Sequence, residues 1–130
     1  MDKVKYWIEI SDYDLETANA MLQTKRFLYV AFMCHQTIEK ILKACCVFKK
    51  SETTPYTHNL SYLCEWCGIA DEFSVEQKEF ITELEPFNIE TRYPTYKESL
   101  IKLLSAERCE RMLEETKKLQ TWIKTELLKK

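Results

Sequence analysis

A chain of 130 residues with a single glycine, Gly68, is poorly supplied for building sheets. Tight two-residue hairpins draw on glycine, and neither Asn-Gly nor Asp-Gly occurs here. The same count excludes glycine-rich phosphate loops, both the dinucleotide fingerprint and the Walker type, because each needs at least two glycines at fixed spacing. An all-α chain is expected. Size scaling gives a folded surface of about 7,000 Å² against about 23,000 Å² unfolded, so one domain with one core can form without disulfides or metal.

The formal charge is −2 and the sequence pI is about 5.8. Nonspecific nucleic-acid binding therefore has no global electrostatic drive, and only a local basic patch would supply one. Six cysteines sit mostly at helix-core spacing, which reads as reduced thiols in a cytoplasmic protein rather than a disulfide scaffold. The opening MDKVKYWIEI lacks a secretory apolar core, and the longest uncharged run, Phe27 to Ile38, is too short for a bilayer. No membrane role is expected.

Apolar spacing divides the chain into helices. Val4, Trp7, Ile8, Ser11, Leu15, Ala18 and Leu22 mark the first, about Lys3 to Gln23. A break at Thr24, Lys25 and Arg26 precedes a second, Phe27 to about Lys49, and so short a break favours an antiparallel hairpin. Residues 50–57, with Pro55, read as a loop. A short helix follows from about His58 to Cys67, with Thr57 or Asn59 as N-cap and Gly68 as the left-handed residue past its end. Ser74 and Gln77 form a capping box for a fourth helix that Pro86 ends or kinks. Between Pro86 and Pro94 the backbone is expected to be irregular. A long last helix runs from about Ser105, with Leu100 to Leu104 adding a turn or two before it. The expected architecture is an up-and-down bundle of four main helices plus a short one, a single domain over residues 1–130.

The most informative segment is His35-Gln-Thr-Ile-Glu-Lys-Ile-Leu-Lys43. At 100° per residue from His35, the residues Glu39, Lys43, Gln36 and Lys40 fall at roughly 40°, 80°, 100° and 140°, opposite the apolar stripe of Cys34, Ile38, Ile41, Leu42 and Cys45. Glu39 stands at i,i+4 to both His35 and Lys43. The plain reading is a solvated face with ordinary ion pairs. A second cluster is Thr91-Arg-Tyr-Pro-Thr-Tyr96, where Arg92 is suited to a phosphate or carboxylate and the tyrosines to a base; its plain reading is a carboxylate pair and tyrosines packed on the bundle end. Cys64-Glu-Trp-Cys67 is a lone C-x-x-C without the further ligands a zinc site needs, and reads as two buried thiols one turn apart. His35 and His58 are the only histidines, too few to build a convincing triad, and His58 is placed in the first turn of its short helix. No metal and no cofactor are expected.

Taken in order, Asp14-Leu-Glu-Thr-Ala18, the segment Phe32-Met-Cys-His-Gln-Thr-Ile-Glu-Lys-Ile-Leu-Lys-Ala44, Thr57-His-Asn-Leu60 and Thr91-Arg-Tyr-Pro94 resemble the HEPN domain family over nearly the whole chain. The resemblance implies a compact helical bundle, commonly dimeric, occurring beside small nucleotidyltransferase partners in toxin–antitoxin-like settings and proposed to bind nucleotides or act on RNA. Many members are metal-independent ribonucleases with an R-x₄₋₆-H motif, whose histidine acts on the 2′-hydroxyl while the arginine supports the phosphate. This sequence departs from that pattern, because no histidine follows His58. The expectation carried forward is a non-catalytic, homodimeric binding domain, with His35, Gln36, Glu39, Lys40, Lys43, Arg92 and Tyr93 contacting a nucleotide, RNA or other anionic ligand, or a nucleotidyltransferase-family partner. Two alternatives stand beside it. One is a ribonuclease in which His35 or His58 replaces the missing histidine; the other is a pure protein-interaction module.

Overall fold

The computed structural model describes residues 2–51, 53–88 and 94–129, with the side chains of residues 94–97 outside that description. The described residues contain no strand. Six α-helices follow in order: α1 (Lys3–Gln23), α2 (Phe27–Lys50), α3 (Leu60–Trp66), α4 (Val75–Leu84), α5 (Pro94–Lys102) and α6 (Ala106–Trp122). Single 3₁₀ turns lie at Ala70–Glu72 and Glu85–Phe87, and α6 widens into a π-helical turn over Ile123–Leu127.

Local chemistry explains most of the boundaries. Asp2 starts α1 by accepting from the Lys5 N–H at 3.1 Å, satisfying one of the unpaired donors of the first turn. The hairpin between α1 and α2 turns through Lys25 in the left-handed region, φ 62°, and Arg26 N–H then reaches back to the Met21 carbonyl at 2.8 Å. Asn59, one of the two caps expected, begins α3 by accepting from Tyr62 N–H at 2.9 Å. Gly68 has φ 75° just beyond α3, and Ile69 N–H bonds to the Cys64 carbonyl behind it, so the single glycine sits where the backbone needs one. The Ser74–Gln77 capping box forms in both directions, at 3.1 and 2.8 Å. Pro86 falls inside the 3₁₀ turn that ends α4. The irregular segment expected between Pro86 and Pro94 lies mostly outside the described residues. The turn or two expected around Leu100 to Leu104 is a helix in its own right, α5, started at Pro94, whose fixed φ suits a first helical position.

The hairpin of α1 and α2 is the spine, and α2 is its central member. It packs against α1, α3 and α6 and touches α4, α5 and the Glu85–Phe87 turn. Val30, Ala31, Cys34, Ile38, Ile41, Leu42 and Cys45 are fully buried along it, and Leu60, Leu63, Leu84, Phe87, Met112 and Ile123 close the core around them. A small polar knot ties three helices together: Ser11 Oγ donates to the Thr37 carbonyl at 2.7 Å and accepts from Gln120 Nε2 at 2.9 Å. The accessible surface, 7,608 Å², is near the size-scaling value.

Candidate functional site

The polar stripe of α2 lies inside the protein. His35 and Glu39 are 0% and 1% exposed, Lys43 is 7%, and Gln36 is 9%. This corrects the plain reading of a solvated face. The second stripe of α2 is covered by α1, by the segment leading into α3 and by the turn that ends α4, so charges there must find partners.

Glu39 is the organising group. Its Oε2 accepts from Lys43 Nζ at 2.9 Å, and its Oε1 stands 2.9 Å from His58 Nδ1. Lys40 Nζ is 3.9 Å away. Burial pushes the Glu39 carboxyl up, but the hydrogen bonds from Lys43 and His58 and the charges of Lys40 and Lys43 outweigh it, and it stays below its ordinary value. An ionised carboxylate can only accept, so His58 Nδ1 carries the proton in this pair. Lys43 also lies over the Trp7 ring, 5.4 Å from its centroid, which gives the buried ammonium a second favourable surface.

Lys40 branches the other way, donating to Gln36 Oε1 and lying 3.8 Å from Asp14 Oδ2 on α1. Burial raises the Asp14 carboxyl, opposed by Lys40 and reinforced by Glu39. His35 is the unsatisfied member. Neither ring nitrogen has a hydrogen-bond partner, although Glu39 lies 3.8 Å from Nδ1 and Glu85 lies 4.0 Å from Nε2. Burial pulls its imidazole down to about 4, so it is neutral at physiological pH. Glu85 is occupied elsewhere, accepting from the Leu60 N–H at 3.0 Å.

Among the basic side chains of this interior, His58 and Lys40 reach the surface. The His58 side chain is 29% exposed and that of Lys40 is 17%. His58 precedes the N-cap Asn59 and so is not in the first turn of α3; its orientation comes from Glu39 rather than from that helix's dipole. Tyr56, fully exposed, has its ring 6.3 Å from that of His58. Of the residues expected at the site, His35, Gln36, Glu39, Lys40 and Lys43 are thus gathered on one side of α2, while Arg92 and Tyr93 lie outside the described residues. Asp14, Glu85 and Trp7 join the cluster without having been singled out as site residues. Only Asp14 and His58 carried a signal, inside the D-x-x-x-A and T-H-x-L segments.

The model of the family described as "HEPN domain" matches residues 4–127. The chain belongs to the HEPN domain family. Its fold is similar to that in the crystal structure of TT1696 from Thermus thermophilus, at 18% sequence identity and a TM-score of 0.79, over 96% of this chain and 98% of that one. No curated protein sequence matches it. Among the described residues of this HEPN domain, no group of three or more His, Cys, Asp or Glu side chains could hold a metal ion, and no helix is long and apolar enough to cross a membrane.

Proposed function

We propose that this HEPN domain binds rather than cuts, taking a nucleotide or other anionic group, or an anionic surface of a nucleotidyltransferase-type partner, where His58 and Lys40 reach solvent. Arg92 and Tyr93 complete the reading as further contacts. The observation that supports it best is the division of labour around Glu39. The buried carboxylate, itself fixed by Lys43, holds the partly exposed imidazole of His58 at 2.9 Å and lies beside Lys40, so an oriented ring and an ammonium are set in place before a ligand arrives.

Calorimetry with ATP, GTP and CTP tests this. Binding that Lys40→Ala and His58→Ala each weaken at least tenfold is the expected result. No heat at millimolar nucleotide disposes of the nucleotide version, and pull-down of a nucleotidyltransferase then tests the partner version.

One observation favours a second reading, metal-independent RNA cleavage. A partly exposed histidine oriented by a buried carboxylate is the geometry of a general base, and His58 has it; His35, with no exposed surface, does not. Cleavage of RNA in chelator that His58→Ala abolishes and His35→Leu leaves intact would select it. Intact RNA after long incubation at high protein concentration removes it.

A further inference from the structure

Glu85 stands in the 3₁₀ turn after α4, which packs against α2 and is flanked by the buried side chains of Leu84 and Phe87. Its carboxylate is therefore carried on fixed backbone. Oε1 accepts from the Leu60 N–H at 3.0 Å, the first donor of α3, and so satisfies a group that has no partner inside its own helix. The N-cap Asn59 serves a different donor, the Tyr62 N–H, at 2.9 Å, and gives its own N–H to Thr57 Oγ1 at 3.1 Å.

Between the Leu60 nitrogen and the His58 Cα lie only ψ of His58 and the two dihedrals of Asn59. Capping holds Asn59 extended, at φ −82° and ψ 109°. A tether at Leu60 thus fixes the place of the His58 backbone, and Glu39 can then take the ring at 2.9 Å. Two carboxylates from different elements grip one short segment, Glu39 through a side chain and Glu85 through the main chain two residues on. The buried His35 ring stands between them, 3.8 Å from Glu39 and 4.0 Å from Glu85, and keeps the two acceptors apart.

We propose that Glu85 is a positioning residue for His58: by fixing the Leu60 N–H it sets the imidazole within reach of Glu39 and so readies it for an anionic ligand. The consequence for binding rests on the reading of His58 and Lys40 as ligand contacts, whereas the orientation of the ring does not. Charge is not what the role demands. The Leu60 N–H needs an acceptor at that reach, which an amide oxygen supplies and a methyl group does not.

A carboxylate that merely capped α3 would leave a different signature. Its loss would fray the first turn and lower stability, but the His58 ring, held by Glu39, would stay as it is. Glu83 gives the comparison at the same end of α4. Its carboxylate pairs with Arg108 at 3.1 Å and with Arg111, both on α6, so its removal costs stability through another pair of elements.

Nitrogen-15 NMR of the His58 ring and hydrogen exchange of the Leu60 amide, in the full chain without ligand, test the orientation; calorimetry with ATP tests its consequence. In Glu85→Ala the Leu60 amide should exchange roughly tenfold faster, and ATP should bind about fivefold more weakly. The His58 ring should lose the single Nδ1-protonated signature of the Glu39 pair for the averaged shifts of an unfixed imidazole. Glu85→Gln should restore all of these to within about twofold. Glu83→Ala should leave them unchanged even where it lowers Tm as much. Should Glu85→Ala not fold, Glu85→Asp, one methylene too short for the reach, takes its place. A His58 signature in Glu85→Ala identical to wild type would overturn the proposal, and so would a Glu85→Gln that behaves as Glu85→Ala does. If ATP binds to no form of the protein, the nucleotide reading falls, while the ring signature and the Leu60 exchange still decide the role of Glu85.

Discussion

Replacing Glu39 by glutamine probes the interior of the site most sharply. The substitution keeps the shape and removes one charge, leaving the Lys43 ammonium, 7% exposed, with the Trp7 ring and a neutral amide oxygen as its favourable neighbours among the described residues. Two hydrogen bonds at 2.9 Å to a charged acceptor are weakened. At about 1.5–3 kcal/mol for each such bond, and with part of the loss recovered by the amide oxygen, a net cost of about 3–5 kcal/mol is expected, the range for breaking a buried pair from one side. For a domain of this size that corresponds to a Tm lower by roughly 10–20 °C. Urea unfolding at pH 7 measures it, and the double variant Glu39→Gln with Lys43→Met separates the pair from its surroundings. Removing both charges should recover at least half of the loss, because the larger penalty is the stranded ammonium. A single-variant cost below about 1 kcal/mol would refute the reasoning, since that is what a solvated pair contributes.

The same interior sets the acid sensitivity, and His35→Leu tests it. A buried imidazole held at about 4 takes up a proton only below that pH, whereas the unfolded chain takes it up near 6.5, so wild-type stability should fall by about 3 kcal/mol between pH 6.5 and 4. The variant should lose that slope and, having shed two unpartnered buried nitrogens, be as stable as wild type or better at pH 7; an unchanged slope in pH-dependent urea unfolding would contradict this. Glu39 adds to the acid loss at lower pH, because a depressed carboxyl stabilises above its unfolded pKa and ceases to as pH falls through its folded value. Gly68→Ala should cost about 1–2 kcal/mol by thermal unfolding: nothing lies within 4 Å of the added carbon, so the whole penalty is the positive φ.

Gly68, the Ser74–Gln77 capping box and the α1–α2 break were legible because each is a local device whose chemistry acts within a few residues. The length of α5 was less so, since its end is short and Leu103 and Leu104 lie in the turn beyond it. The α2 stripe was read correctly in composition and incorrectly in environment. Periodicity says that Glu39 and Lys43 share a face, but whether water or Trp7, Asp14 and His58 cover that face depends on tertiary packing. His58 illustrates the same limit. Its partner is 19 residues earlier, so no helical spacing joins them, and the segment entering α3 brings the imidazole to the carboxylate.

Nitrogen-15 NMR of the two histidines, with and without nucleotide, tests the account most directly. Without ligand, His58 should show a protonated Nδ1 bonded to Glu39, and His35 should remain neutral down to about pH 4. Added nucleotide should shift the His58 ring and the Lys40 ammonium while leaving His35 in place. A His58 ring protonated on Nε2 alone, or a His35 that titrates near 6.5 and responds to ligand as an exposed group would, contradicts it.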